Sequence, residues 1–255
     1  MKDIRFMKYP RIPHLYEIPE IVDHGVEVYE KIDGGNAQIR KLDGRTRCGN
    51  RANFLDDKRF DQFWFRDFLK FVMKNDSFYN LPENIIVFCE WLAPHTLDYK
   101  EECKNRAYLT DVYDKDRKLF LPYQEGKEVL VDKGIEELVF LDCLFTGKIS
   151  INAIKWIAAN KKSRFRDNDK KMEGVVVKDY AGQRFAKLLR RMVLGERQKV
   201  DMDDIRRAKF SLIDDGMSMN YPNLLEKVMS NLQEERRKFD EKKVKSLVSM
   251  SMNKD

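Results

Sequence analysis

VEVYEKIDGGNAQIRKLDGRTRCGNR, Val26 to Arg51, is the stretch whose reading decides the fold. Val26 and Val28, then Ala37 and Ile39, alternate with polar residues, the period-two pattern of strands with one buried face. Gly34-Gly35 and Asp43-Gly44 supply turns between those strands. Upstream, KYPRIPHLYEIPEI (8–21) holds three prolines among apolar residues and reads as an irregular packed lead-in. Downstream, FDQFWFRDFLKFVMK (60–74) places Phe60, Phe63, Trp64, Phe68, Phe71 and Val72 at helical spacing, an aromatic stripe facing a core.

IIVFCEWL (85–92), AYLTDVYD (107–114), LVFLDCLF (138–145) and MEGVVVKDY (172–180) read as further strands, INAIKWIAANKK (151–162) as a short helix, and RFAKLLRRMV (184–193) as the end of the sheet. After about Leu194 the character changes. DMDDIRRAKF (201–210) and NLLEKVMSNLQEERRKFDEKKVKSLVSM (223–250) are helical and charge-rich, with Leu224, Leu225, Val228, Met229 and Leu232 on one apolar face. The expected architecture is α+β, antiparallel sheets flanked by helices, with a body over 1–195 and a small helical segment over 196–255.

Composition bounds the function classes. In 255 residues, 42% are hydrophobic and 11% aromatic, enough for a packed core and against disorder. The net charge of +6 is a mild bias toward polyanions. Cys48, Cys89, Cys103 and Cys143 form no CxxC pair, and His14, His24 and His95 lack ligand spacing, so neither a disulfide frame nor a zinc site is expected. With no apolar leader and no run of membrane-spanning length, the expected setting is cytoplasmic (a host cell's, if viral), with no membrane partner and no obligate protein partner.

The chemistry concentrates in EKIDGGN, Glu30 to Asn36. A lysine followed by x-Asp-Gly at a strand end stands where glycines let a phosphate approach the backbone. To attack phosphorus the amine must lose its proton, which calls for a pKa well below the usual value of about 10.4. Set beside it in order are Arg51 in CGNRANF, Glu90 in FCEWL, Glu173 and Lys178 bracketing EGVVVK, and Lys187 in RFAKLL. Each is a charge in an apolar, strand-like context, and charges so placed are costly unless paired or ligand-bound. Their types suit a nucleotide: cations for phosphates, carboxylates for Mg²⁺ and ribose hydroxyls. The basic runs KKSRFR (161–166) and RFAKLLRR offer backbone phosphate contacts, Arg190 and Arg191 above all, although a solvated face is the commoner meaning of such runs.

EKIDGGN, the arginine of GNRAN, FCEWL, EGVVVK and the lysine of RFAKLL resemble motifs I, Ia, III, IV and V of the covalent nucleotidyltransferases: DNA ligases, RNA ligases and capping enzymes. The chain is most similar to RNA ligases of the bacteriophage RNA ligase 2-like type, over about residues 6 to 195. That resemblance implies a nucleotidyltransferase (ATP-grasp-like) domain and an ATP-dependent RNA ligase active in RNA repair. Lys31 would attack the α-phosphorus of ATP to give lysyl-AMP. Glu30 and the backbone at Ile32 would contact adenine, Asn36 and Arg51 ribose and phosphate, and Glu90 the ribose hydroxyls. Glu173 would position Mg²⁺ (or Mn²⁺), while Lys178 and Lys187 would engage AMP or the triphosphate. AMP would pass to a 5′-phosphate and a 3′-hydroxyl would displace it, on nicked or broken RNA or a DNA/RNA hybrid.

Three departures stand out. Many relatives carry Lys-x-Lys at motif V, where Lys187 is followed here by Leu188-Leu189-Arg190-Arg191. Thr110 stands where relatives often place an aromatic ring on adenine, so that stacking falls to Tyr108 or is absent. Cys89 replaces a glycine. The alternatives are a DNA ligase or capping-type enzyme, disfavoured because the helical tail does not read as an OB-fold barrel, and a catalytically degenerate nucleic-acid-binding protein, disfavoured by the intact KIDG and both glutamates.

Overall fold

A computed structural model describes residues 6–55, 63–93, 97–194, 205, 208–209, 211–212, 217–234 and 241–252. Phe60, His95, most of 201–216, the 235–240 stretch and the side chains of Phe63 and Trp64 lie outside the described residues. The chain divides into two compact units, Met1–Leu194 and Gly195–Asp255.

In the first unit, β1 (Val26–Glu30), β2 (Gly35–Leu42) and β3 (Arg45–Asn50) arise from the opening stretch. Asp43 and Gly44 turn β2 into β3 with φ of 49° and 72°, the left-handed pair that a two-residue hairpin requires. There follow α1 (Phe63–Lys74), β4 (Ile85–Leu92), β5 (Arg106–Asp114), β6 (Leu119–Phe120), α2 (Tyr123–Val131), β7 (Cys143–Gly147), α3 (Ile151–Asn160), β8 (Gly174–Asp179), β9 (Arg184–Leu189) and the single turn α4 (Arg190–Val193). They build two antiparallel sheets, one ordered β7-β1-β8-β9 and the other β3-β2-β4-β5-β6. The α+β class with antiparallel sheets and flanking helices is as the sequence reads.

Four details differ. Residues 123–131 form α2, which the sequence reading passed over. The 138–145 run enters a strand only at Cys143; upstream, Val139 makes an isolated bridge to Tyr108. Arg190–Val193 leaves the sheet as a helical turn. Gly34 ends a loop rather than opening a tight turn, because β2 begins at Gly35.

Each sheet has a core of its own. α1 lays Phe68 and Val72 on the second sheet, with Phe68 ring to ring with Trp91 at 5.4 Å. Val26, Val28, Val175, Val177, Ala186 and Leu188 line one face of the first sheet and bury Ile154, Ile157 and Ala158 of α3. The opposite face of that sheet, carrying Tyr29 and Phe185, joins the larger core. At about 25 cal/mol per Å² of apolar area, these two layers supply the main stabilisation of the unit. The lead-in closes the β9 edge, where Leu15 N–H donates to Lys187 O (2.8 Å) and Lys187 N–H donates to Pro13 O (2.9 Å).

The second unit is helical. Its α5 (Tyr221–Glu234) and α6 (Glu241–Met252) bury Leu224, Val228, Leu232, Val244 and Val248 with Ile205, Ala208 and Leu212, and Leu225 and Met229 flank that core. No helix among the described residues is long and apolar enough to cross a membrane.

Candidate active site

The loop Ile32–Gly34 leads from the first sheet into the second, and Lys31 stands at its start. Lys31 N–H donates to Gly174 O (3.0 Å), extending the β1–β8 ladder by one residue. The ammonium donates to Glu173 Oε2 at 2.7 Å, 142 residues away in sequence, with Asp33 Oδ1 at 3.8 Å. Across the loop, Gly34 N–H donates to Glu90 Oε1 (3.0 Å), and Asp33 N–H donates to the buried Tyr99 hydroxyl (2.9 Å). Three carboxylates and one amine thus meet at the junction of the sheets.

The glycines of the loop answer to packing. A Cβ on Gly34 would lie 2.4 Å from Trp91 O, and one on Gly35 2.8 Å from the Phe65 ring. Neither has a positive φ; what each permits is close approach of the loop to β4 and α1.

The electrostatics also correct an expectation. Burial is the largest influence on Lys31 and acts downward, but Glu173, then Asp33 and Glu90, outweigh it and hold the ammonium above its usual range. In this arrangement Lys31 is a cation, not the depressed amine that its sequence role calls for. At Glu90 burial wins: it pushes the carboxyl up to about 7 against the pull of Lys31 and the Gly34 N–H.

Pairing register sorts the remaining candidates. Side chains directly opposite share a face, so Tyr29, Val176 and Lys187 form one row. Lys187, half-buried, therefore lies one row from Lys31 on the same face. Glu27, Lys178 and Phe185 form a row farther off, about 13 Å along β1 from Lys31. There Lys178 is 3% exposed, paired to Asp111 Oδ1 (2.9 Å), donating to Thr110 O, and ringed by Tyr29, Tyr123, Tyr180 and Phe185 at 5.4–5.7 Å. A cation so enclosed has no hand left for a nucleotide. Lys178 belongs to the core.

Glu30 also departs from the expectation. Alternation along β1 turns it to the face opposite Lys31, where it takes the Ser163 hydroxyl and Arg164 N–H (3.4 Å). Its carboxyl ties the KKSRFR run to the sheet and stays clear of the Lys31 face. Burial pushes this carboxyl up to about 7 despite both donors. An acid with a raised folded pKa holds its proton better folded than unfolded, so stability falls as pH climbs from 4.5 through about 7. Glu30→Gln should remove roughly half of that slope, the rest coming from Glu90, a difference of up to about 3 kcal/mol between pH values near 5 and near 8. Urea midpoints at the two pH values check it; parallel slopes for parent and variant would refute it.

Asn36 pairs with Glu90 across β2 and β4, and its Oδ1 is buried without a partner. Arg51, half-buried, follows Asn50, which pairs with Ala37, so it lies beside Asn36 on the strand end. The main chain at Ile32 sits in the loop, its carbonyl 3.3 Å from Lys31 Nζ. Arg190 is held from both sides: its N–H donates to Glu173 O (2.8 Å) and its Nε to Ala159 O (3.2 Å) at the end of α3. Favourable at a helix C-terminus, that contact makes Arg190 a brace behind Glu173 rather than a free phosphate contact. Arg191 follows it on α4, half-buried.

Tyr108, opposite Glu90, is 1% exposed with its hydroxyl on Cys103 O (2.8 Å), so its ring is packing in this arrangement. Thr110 sits at the β4–β5 irregularity, where its carbonyl receives Lys178. Cys89 is fully buried. In the basic run, Lys162 meets Asp169 and Arg164 meets Asp142, both at 2.6 Å, which is the solvated-face reading. Asp33, Tyr99, Ser163 and Asp111 were passed over as site residues. Asp33 had a signal, its place within KIDG, while Tyr99 and Ser163 had none.

Two antiparallel sheets with an amine and carboxylates at their junction define a nucleotidyltransferase-type α+β fold. A family model described as RNA ligase matches residues 25–191, well over half of the chain, and the chain belongs to that family. Solved structures agree on the fold. A Lys-to-Ala mutant of Naegleria gruberi RNA ligase with ATP and Mn superposes with a TM-score of 0.57 at 17% identity, covering 75% of this chain and 57% of that one. A Glu-to-Ala mutant with ATP and Mn gives 0.58 at 18% (76% and 59%), and another with AMP and Mn gives 0.57 at 19% (75% and 58%). The chain thus spans under two-thirds of the length of that ligase. No curated protein sequence matches it.

Proposed function

We propose that this chain is an ATP-dependent RNA ligase whose Met1–Leu194 unit is the adenylyltransferase and whose nucleophile is Lys31. The observation that carries the reading is the meeting of Lys31 with Glu173, Asp33 and Glu90 where the two sheets join. Once Lys31 has released its proton to solvent, its amine forms a bond to the α-phosphorus of ATP and pyrophosphate leaves. A 5′-phosphate oxygen of the RNA then takes the AMP and frees the lysine. A 3′-hydroxyl attacks that activated phosphate, and AMP departs as the phosphodiester closes.

Glu90, buried and raised, and Asn36, with its orphan acceptor, suit ribose hydroxyls, which donate as well as accept. Arg51 and Lys187 suit the phosphates and Ile32 the adenine edge. No three His, Cys, Asp or Glu side chains converge as a complete metal cage among the described residues. Mg²⁺, which keeps its waters and takes one or two carboxylates plus phosphate oxygens, fits Glu173 all the same, with Mn²⁺ as a substitute. Bound there, the cation would draw Glu173 away from the ammonium and neutralise phosphate charge.

The reading predicts joining of nicked or broken RNA that presents a 3′-hydroxyl and a 5′-phosphate, with ATP and Mg²⁺. Substrates differing only in a ribose or deoxyribose at the 3′ end, resolved on denaturing gels, test it. The expected preference is for ribose, read through the 2′-hydroxyl. Equal sealing of both would favour a DNA ligase, and no sealing of either would favour a binding protein.

A further inference from the structure

One paired segment outside the two sheets reaches the chain on both sides of Lys31. Residues 97–100 run antiparallel to 164–167: Tyr99 bridges Arg166, Lys100 N–H donates to Phe165 O (2.9 Å) and Asp167 N–H donates to Asp98 O (3.3 Å). Asp98 also takes the Lys170 ammonium. From one arm the Ser163 hydroxyl donates to Glu30, the residue before Lys31. From the other, the Tyr99 hydroxyl accepts the Asp33 N–H at 2.9 Å, two residues past Lys31.

Tyr99 is suited to that contact. It is 3% exposed and packed in the larger core, so its hydroxyl has little freedom to swing. Burial, then the charges of Asp33, Glu173 and Glu30, hold that hydroxyl well above its usual range despite the Asp33 N–H, so it stays neutral. Gly34 N–H is held by Glu90, but that carboxylate is also the one suited to ribose hydroxyls. Tyr99 has no such second duty. Without its oxygen the Asp33 N–H would lose its acceptor and the loop its hold. A displacement of about 1 Å at a nucleophile can cost on the order of 10²-fold in rate.

We propose that Tyr99 is a positioning residue for adenylylation: by holding the Asp33 main chain, its hydroxyl sets where Lys31 stands when the amine meets the α-phosphorus. The inference rests on the ligase reading and deepens it by separating the first chemical step from the last. Sealing of a strand supplied already adenylylated at its 5′ end does not need the amine.

Tyr99→Phe, which keeps the ring and removes the oxygen, is the test. With the full chain, ATP and Mg²⁺, the rate of lysyl-AMP formation at saturating ATP should fall at least about tenfold. The KM for ATP, and the sealing of pre-adenylylated RNA without ATP, should stay near the parent's. A smaller fall in rate overturns the inference. So does equal loss of both steps, which would leave Tyr99 a role in packing alone, or a raised KM with an unchanged maximal rate, which would make it a ligand contact. A parent that takes no label or seals nothing strikes at the ligase reading and carries this inference with it. A labelled, sealing parent beside a parent-like variant sinks the inference alone.

Discussion

Lys178→Met should destabilise the first unit by about 3–5 kcal/mol, the range for removing one partner of a buried ion pair. The side-chain volume is nearly kept; what is lost is the cation facing Asp111, whose carboxylate is fully buried. Asp111 would retain the hydroxyls of Tyr9 and Tyr180 (2.9 Å), which solvate part of its charge but cannot neutralise it. Adding Asp111→Asn to Lys178→Met should return much of the stability, since a neutral amide removes the uncompensated charge, accepts from one tyrosine through its oxygen and donates its NH2 to the hydroxyl oxygen of the other. Urea unfolding of the two single variants and the double gives the answer. A nucleotide-binding Lys178 would behave otherwise: stability near the parent, a raised KM for ATP, and no rescue.

The second large effect is on joining. Lys31→Ala and Lys31→Arg should both lower RNA joining by at least about 10³-fold, the scale for loss of a nucleophile. The arginine is the sharper test. It keeps a cation beside Glu173 and so should fold like the parent, yet a guanidinium does not deprotonate and cannot attack phosphorus. If the role of Lys31 were to pair with Glu173, arginine would preserve function. Joining by Lys31→Arg within tenfold of the parent would mean that another group is the nucleophile.

Most of the strands, α1, α3 and the apolar face of α5 were legible because period-two and period-3.6 patterns report which face is buried. So was the cluster of Lys31, Glu90 and Glu173, since charges at the ends of apolar strands ask for partners. Which face each charge occupies was not legible. Glu30 and Lys31 are neighbours in sequence and opposite in direction, and only register with β8 reveals that Glu30 meets Ser163. Lys178 reads like a phosphate ligand until β5 is brought against it, after which Asp111 and four rings claim it. The protonation of Lys31 lay out of reach too, because burial and three carboxylates oppose each other there, and their balance is a matter of ångströms. α2 escaped because its apolar positions are few and it has no side-chain N-cap.

What most directly tests the account is where nucleotide attaches. The chain is incubated with ATP and Mg²⁺, denatured, digested and mapped by mass spectrometry, with GTP in a parallel reaction. The account predicts AMP on the peptide carrying Lys31, lost on adding pyrophosphate, absent from Lys31→Ala and not formed from GTP. An unmodified chain after pretreatment with pyrophosphate, or AMP on any other residue, would contradict it.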